Sequence, residues 1–110
     1  MFEPFSGGYY LGRLYVEPGD GDRALIHRRQ HERINEEYYD GTVPPVMKLD
    51  RTHLAVDADA GVPADTLVVP EPVLDRMNVR NPPSLEEVLL AKQSHAQQLF
   101  RLRRHHSAGI

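Results

Sequence analysis

Proline restricts what this chain can fold into more than any other residue type, because its copies are gathered in one part of the sequence. Seven of the nine prolines lie between residues 44 and 83, where they separate short apolar runs. Proline has no backbone N–H to donate, so within a sheet it is confined to strand ends, edges and bulges. This region is therefore predicted to form short strands and edges, not a linker.

The first third of the chain predicts a hairpin followed by a helix. An aromatic and branched run at 9–17 is separated from the apolar run 24–27 by the segment 18–22, which is rich in Gly and Asp. Both residue types tolerate the positive φ of a tight reversal, so the two runs are predicted to pair with each other. A helix over 28–39 follows. In an alternative interpretation Asp22 is the N-cap of a longer helix that includes residues 24–27.

A second hairpin and a fifth strand are predicted in the proline-rich middle. Residues 46–49 and 52–56 flank the turn Asp50-Arg51, and their apolar residues alternate so that one face of the pair is apolar. Residues 66–69 form a further short apolar run, which ends at Pro70.

The segment 84–104 has the clearest helical pattern. Ser84 and Glu87 match a capping box, in which the hydroxyl and the carboxylate each satisfy a free N–H at the helix start. Most apolar residues of the segment fall on one side of the predicted helix. Leu90 falls on the polar side, where it is predicted to contact another chain.

These segments together predict an α+β fold in a single domain over residues 1–104. A chain of 110 residues fits one domain. The predicted core is a small, mostly antiparallel sheet of about five short strands, covered by helices 28–39 and 84–104. Residues 105–110 are expected to be a frayed tail.

Several stretches of the chain are similar to a known group of proteins. They are Met1–Ser6, Gly8–Pro18, Val46–Asp50 with Thr52-His53, Gly61–Leu67 and Arg80–Leu85. The chain resembles an uncharacterised family of short proteins from halophilic archaea, over most of residues 1–92. The resemblance implies a cytoplasmic protein that works at high salt, and it implies no activity.

Charge is distributed unevenly along the chain. Residues 1–75 carry 7 Lys/Arg and 14 Asp/Glu, whereas residues 76–110 carry 6 Lys/Arg and 2 Asp/Glu. The basic residues Arg101, Arg103 and Arg104 at the end of the predicted helix are one candidate contact surface for nucleic acid. The alternative is that they complement the helix dipole, as basic residues at any helix C-terminus do.

Histidines provide the candidate metal ligands. His27 and His31 are four residues apart, so on one continuous helix their imidazoles would share a face. The third ligand would be His53 or an Asp from elsewhere in the chain. The hairpin interpretation places His27 in a strand and removes this geometry.

The sequence shows no set of acid, base and nucleophile that indicates a reaction, so no catalytic residue and no cofactor is predicted. There is no cysteine. No apolar run approaches the roughly 20 residues of a membrane span, and the N-terminus lacks the pattern of a signal peptide, so a cytoplasmic location is expected.

By elimination, the leading hypothesis is a non-enzymatic interaction or regulatory module that acts as a homodimer. Its contact residues would be Leu90, Arg101, Arg103 and Arg104. Two alternatives remain open at this point. One is a nucleic-acid accessory protein that uses the basic helix end, and the other is a metal-dependent enzyme that uses His27 and His31.

Overall fold

Six short segments of the chain become strands and three become helices in the computed structural model, which describes residues 8–77, 79 and 82–103. The strands are β1 (Gly8–Gly19), β2 (Ala24–His27), β3 (Val46–Leu49), β4 (Thr52–Asp59), β5 (Thr66–Pro70) and β6 (Ser84–Ala91). The helices are α1 (Arg28–Glu37), α2 (Glu71–Leu74) and α3 (Gln93–Arg103). The predicted tail at 105–110 lies outside the described residues. In the described ranges, no helix is long and apolar enough to cross a membrane.

The strands close into a barrel in the order β1-β5-β2-β4-β3-β6, with β6 pairing back onto β1. The pairs β1–β5 and β2–β4 are parallel, and the other four are antiparallel. Closure gives every strand a neighbour on both sides for at least part of its length. The predicted open, mostly antiparallel sheet of five strands covered by two helices is therefore wrong.

The largest error concerns the segment predicted as a helix over 84–104. Its first part, Ser84–Ala91, is strand β6, and the helix begins only at Gln93. In the strand, Val88 and Leu90 lie two residues apart and are both fully buried. Ser84 caps no helix, because it is the first residue of β6, and its hydroxyl donates to the Glu86 carboxylate. Strand β6 pairs with both β1 and β3, and this tertiary pairing outweighs the local preference for a helix.

The first predicted hairpin is also wrong, although both of its strands exist. Strand β5 lies between β1 and β2 and pairs with each of them. Gly19 is paired with Pro70 of β5 and does not form a tight reversal. A Cβ atom at this position would overlap the Cγ1 atom of Val68, so a larger residue here would have to displace that side chain.

Other local predictions are confirmed. Residues Ala24–His27 form a strand, as preferred over the longer helix, and the helix starts at Arg28. The hairpin of β3 and β4 is present, with Met47 opposite Leu54. Asp50 in its turn has a φ of 56°, in the left-handed region that Asp tolerates.

All six strands contribute to the barrel core. Completely or almost completely buried side chains include Val16, Ile26, Met47, Val56, Leu67 and Leu90. One buried hydroxyl group, that of Tyr39, forms hydrogen bonds to two other elements beside this core. The buried hydroxyl of Tyr39 donates to the carbonyl oxygen of Ala91 at 2.6 Å and accepts from the N–H of Val46 at 3.3 Å. It thereby joins the segment after α1 to the ends of β3 and β6, and burial raises the pKa of Tyr39.

The start of α3 forms hydrogen bonds with the segment that follows α1. The backbone N–H of Asp40 donates to Oε1 of Gln93 at 2.6 Å. Hydrogen bonds from Thr42 and Gln93 lower the pKa of the Asp40 carboxyl. Ala96, one turn further along α3, is fully buried. These contacts place the first turns of α3 against the barrel.

Candidate functional site

A cleft of about 310 Å³ lies on the outward side of β4. Its floor is Ala55, which stands between His53 and Asp57 in the row of β4 side chains that point away from the core, because alternate strand residues share a face. Helix α3 contributes Phe100 and helix α2 contributes Val73 to the lining. The cleft therefore combines an apolar floor and walls with a few polar side chains, the composition common in ligand sites.

One side of the cleft is charged, because two residues that are distant in the sequence form an ion pair there. Nη1 of Arg23 lies 2.6 Å from Oδ2 of Asp57, and the hydrogen bond and charge of Asp57 raise the pKa of Arg23. Asp22 lies beside them in the lining. The residues are brought together by the parallel pairing of β2 with β4, in which Ala24 is opposite Val56. The sequence contains no motif that reports this pairing, so sequence analysis missed both Arg23 and Asp57.

His53 links the cleft to α3. Its ring is packed edge-on against the ring of His95, with ring centroids 5.3 Å apart. Burial lowers the pKa of His53, and the charges of His95 and of its cross-strand neighbour Lys48 lower it further. The lowered pKa favours the neutral imidazole of His53 at pH 7, in which one ring nitrogen can accept a hydrogen bond. The described residues that line the cleft include no hydroxyl or thiol side chain.

The three histidines predicted as metal ligands have separate local roles. Nδ1 of His27 accepts from the N–H of Arg29 at 3.0 Å and caps α1. Nδ1 of His31 is 3.3 Å from Nδ2 of Asn35, within the same helix. Within the described ranges no group of three or more His, Asp or Glu side chains is arranged to hold a metal ion, so the structure does not gather His27, His31 and His53 into one site.

The structure describes the side chains of two of the four predicted contact residues, Leu90 and Arg101. Leu90 is fully buried in the barrel core and is not available to another chain, because β6 is a strand whose inward positions include 88 and 90. Arg101 is exposed on α3. The side chain of Arg103 and the whole of Arg104 lie outside the described residues.

A different exposed surface lies on the outward side of β6 and β1. Tyr15 and Leu85 are 50% and 46% exposed, among the most exposed large apolar side chains of the described residues. They are directly opposite each other in the antiparallel register, and the next outward pair is Arg13 opposite Glu87. Directly opposed side chains on one face have Cβ atoms about 5 Å apart. We call these four residues the β6–β1 face.

Sequence analysis missed the β6–β1 face, because Leu85 was placed in a helix whose apolar stripe faced the core. The irregular position of Leu90 in that helix was the available signal. Read as a strand, the same segment turns Val88 and Leu90 inward and Leu85 and Glu87 outward, as the structure has them.

Comparisons with known proteins identify a family and no activity. No curated protein and no solved structure matches the chain. A family model, described as a family of unknown function (DUF5802), matches residues 1–106, so the chain belongs to that family.

Proposed function

We propose that this protein is a cytoplasmic, non-enzymatic interaction module that acts as a homodimer, and that two copies meet through the β6–β1 face. The single observation that carries the proposal is the exposed pair Tyr15 and Leu85, with Arg13 and Glu87 beside it. Large exposed apolar side chains that adjoin one another mark contact surfaces more often than isolated ones do. This contact surface does not include Leu90, which the sequence had suggested, because Leu90 lies in the core.

The charges of this face favour a second copy of the same chain as the partner. In a two-fold interface, if one residue contacts a second residue of the partner, that second residue contacts the first residue of the partner in return. The surface must therefore be complementary to itself. Arg13 and Glu87 supply one charge of each sign side by side. Their side chains are both exposed, and the ion pairs within 4.0 Å among the described residues involve other residues. A two-fold axis between them brings Arg13 of each copy to Glu87 of the other, while Tyr15 packs on Leu85.

The halophilic origin that the sequence resemblance implies adds a condition to the proposal. At molar salt the attraction between exposed charges is largely screened, whereas burial of apolar surface is not weakened by screening. The contact between Tyr15 and Leu85 is therefore expected to hold the dimer together in concentrated KCl, and the charge pair is expected to set its orientation at low salt.

Sedimentation velocity over a wide range of protein concentration tests the proposal. Wild-type protein is expected to shift from monomer to dimer, and the double variant Tyr15→Thr/Leu85→Thr is expected to weaken the dimer at least about tenfold, which corresponds to about 1.4 kcal/mol. Threonine is chosen because it retains strand propensity. Tyr38→Ser is the matched control, since Tyr38 is 40% exposed but lies at the end of α1.

Exchanging the charges of Arg13 and Glu87 tests the two-fold symmetry of the proposed interface. Arg13→Glu alone places like charges across the interface and is expected to weaken association at low salt, and Arg13→Glu/Glu87→Arg is expected to restore it. The thermal stability of each monomer, measured in parallel, separates this effect from repulsion within one chain. The proposal is wrong if the wild-type protein stays monomeric at every concentration, or if the dimer is unaffected by the double threonine variant.

A further inference from the structure

The cleft on β4 lies on the side of the barrel opposite the β6–β1 face. In the closed strand order, the β6–β1 pair and the β2–β4 pair are three steps apart around six strands. Binding of a ligand in the cleft is therefore independent of the proposed dimer. The two surfaces are separate, and each has its own test.

The volume and lining of the cleft indicate the size of ligand that it would accept. At about 310 Å³ it is at the small end of the range for ligand pockets, roughly 300–1,000 Å³. Ala55 leaves room above β4 that a larger residue would fill. Phe100 and Val73, with Pro44 and Pro70, provide apolar surface around that space. A compact molecule with one aromatic ring or a short aliphatic body fits these dimensions.

The polar groups of the cleft indicate the charge of the ligand. Asp22, Arg23 and Asp57 together carry a net negative formal charge. The Asp57 side chain is 39% exposed and that of Arg23 is 71% exposed, so the carboxylate lies deeper than the guanidinium. The ion pair with Arg23 uses Oδ2 of Asp57, and Oδ1 is outside it. The deeper polar positions therefore accept hydrogen bonds, which suits an ammonium group and repels a carboxylate.

We propose that the cleft is a binding site for a small primary amine with an aromatic or aliphatic body. The ammonium group binds Asp57, and the apolar body lies on Ala55 against Phe100 and Val73. His53, at the other end of the same row, accepts a hydrogen bond from a polar group on the body of the ligand. No bond is formed or broken in this proposal, and the cleft acts as a binding site only.

The test is a titration of the full chain followed by ¹H–¹⁵N correlation spectra at low ionic strength. The probe is tyramine, and the matched probe of opposite charge is 3-(4-hydroxyphenyl)propionate, which has a closely similar body and a carboxylate in place of the amine. Tyramine is expected to shift the amides of residues 53–57 and of Phe100 saturably. The acid is expected to bind about tenfold more weakly or not at all, because charge complementarity sets this preference.

Two variants and one control assign the site. Asp57→Asn removes the carboxylate charge and is expected to weaken tyramine binding about tenfold. Ala55→Leu fills the floor and is expected to abolish the shifts. Asp59→Asn is the control, since Asp59 lies two residues further along β4 outside the cleft and its Oδ1 acceptor for the N–H of Gly61 is retained in Asn. The dispersion of the spectra shows that each variant is folded.

The proposal is overturned if the acid binds as tightly as the amine, if tyramine leaves the amides of 53–57 and Phe100 unshifted, or if Asp57→Asn binds tyramine as wild type does. Loss of binding in Asp59→Asn to the same extent as in Asp57→Asn would also overturn it, because general acidity of the surface would then explain the effect.

Discussion

The two opposite sides of this barrel differ in what covers them. On the β2–β4 side, helix α1 packs on both strands, and α3 adds His95 and Phe100 beside β4. On the β6–β1 side, Tyr15 and Leu85 are half exposed. Both sides are built on the same inner core, so the difference arises entirely from outward positions and from where the connecting helices run.

This comparison shows that the same residue type has opposite roles in one strand. Leu85 and Leu90 are both in β6, yet Leu85 points outward and is 46% exposed while Leu90 is fully buried. The side-chain period of a strand is two, so an odd spacing between two residues places them on opposite faces. Four predictions, from the largest expected effect to the smallest, test the burial of individual side chains and the strand pairing behind it.

The largest expected difference is between two leucine truncations in β6. Leu90→Ala leaves a cavity in the core and is expected to lower the free energy of unfolding by about 3–4 kcal/mol. Leu85→Ala removes a half-exposed side chain and is expected to cost less than about 1 kcal/mol. Urea denaturation of both variants measures the difference, at a concentration where the wild type is monomeric. Similar losses for both would show that the division of β6 into an inner and an outer face is wrong.

The second comparison is between two tyrosines that differ in burial. Tyr39→Phe removes the hydroxyl that bonds Ala91 and Val46, and it is expected to cost about 2–3 kcal/mol because buried polar groups lose their partner. Tyr15→Phe removes an exposed hydroxyl and is expected to stay within about 0.5 kcal/mol of wild type. The same denaturation experiment applies. A small effect for Tyr39→Phe would mean that the hydroxyl does not join the three segments.

A third comparison concerns the place where β5 separates β1 from β2. Gly19→Ala introduces a Cβ that overlaps Val68, and it is expected to cost about 1–2 kcal/mol. Gly21→Ala is the matched control, because nothing lies within 4 Å of its added Cβ. The double variant Gly19→Ala/Val68→Ala is expected to recover part of the loss. If the two alanine variants are equally stable, β5 does not approach β1 as closely as described.

The smallest expected effect is on the pH dependence of stability, through His53 on the β2–β4 side of the barrel. The folded state lowers the pKa of His53 below its usual value of 6.5, so the unfolded chain takes up this proton at higher pH than the folded chain. The contribution of His53 to stability is therefore present above about pH 6.5 and is lost as the pH falls from there through the pKa of the folded state.

An NMR titration of the His53 imidazole measures this effect directly. His95→Gln removes one of the charges that oppose protonation, so it is expected to raise the pKa of His53 toward 6.5 without reaching it, because burial and Lys48 remain. An unchanged pKa in this variant would show that the contact between the two rings does not affect the charge of His53.

Local sequence patterns were sufficient for elements whose partners are close in sequence. The hairpin of β3 and β4 has two residues, Asp50 and Arg51, between its strands, and Asp50 takes the left-handed conformation that such a turn needs. The start of α1 at Arg28 was the preferred of two interpretations of its segment, and in the structure the His27 imidazole accepts from a free N–H of the first turn. Neither feature depends on distant parts of the chain.

The candidate sites were not predictable in this way. Arg23 and Asp57 are 34 residues apart, and they meet only because β2 and β4 are parallel neighbours. Tyr15 and Leu85 meet only because β6 closes the barrel against β1. In each case the pairing of strands from distant segments creates the site, and the sequence contains no local signal for which strands become neighbours.

The sequence by itself determined that this chain has short strands interrupted by proline, no cysteine, and membership of a family of unknown function over residues 1–106. These follow from composition, from residues that forbid certain backbone conformations, and from similarity along the chain. The tertiary structure alone decided that Ser84–Ala91 is a strand, that β5 separates β1 from β2, and that Leu90 is inside while Leu85 is outside. Strand pairing can override a local preference for a helix, and here barrel closure offers β6 hydrogen-bonding partners on both sides.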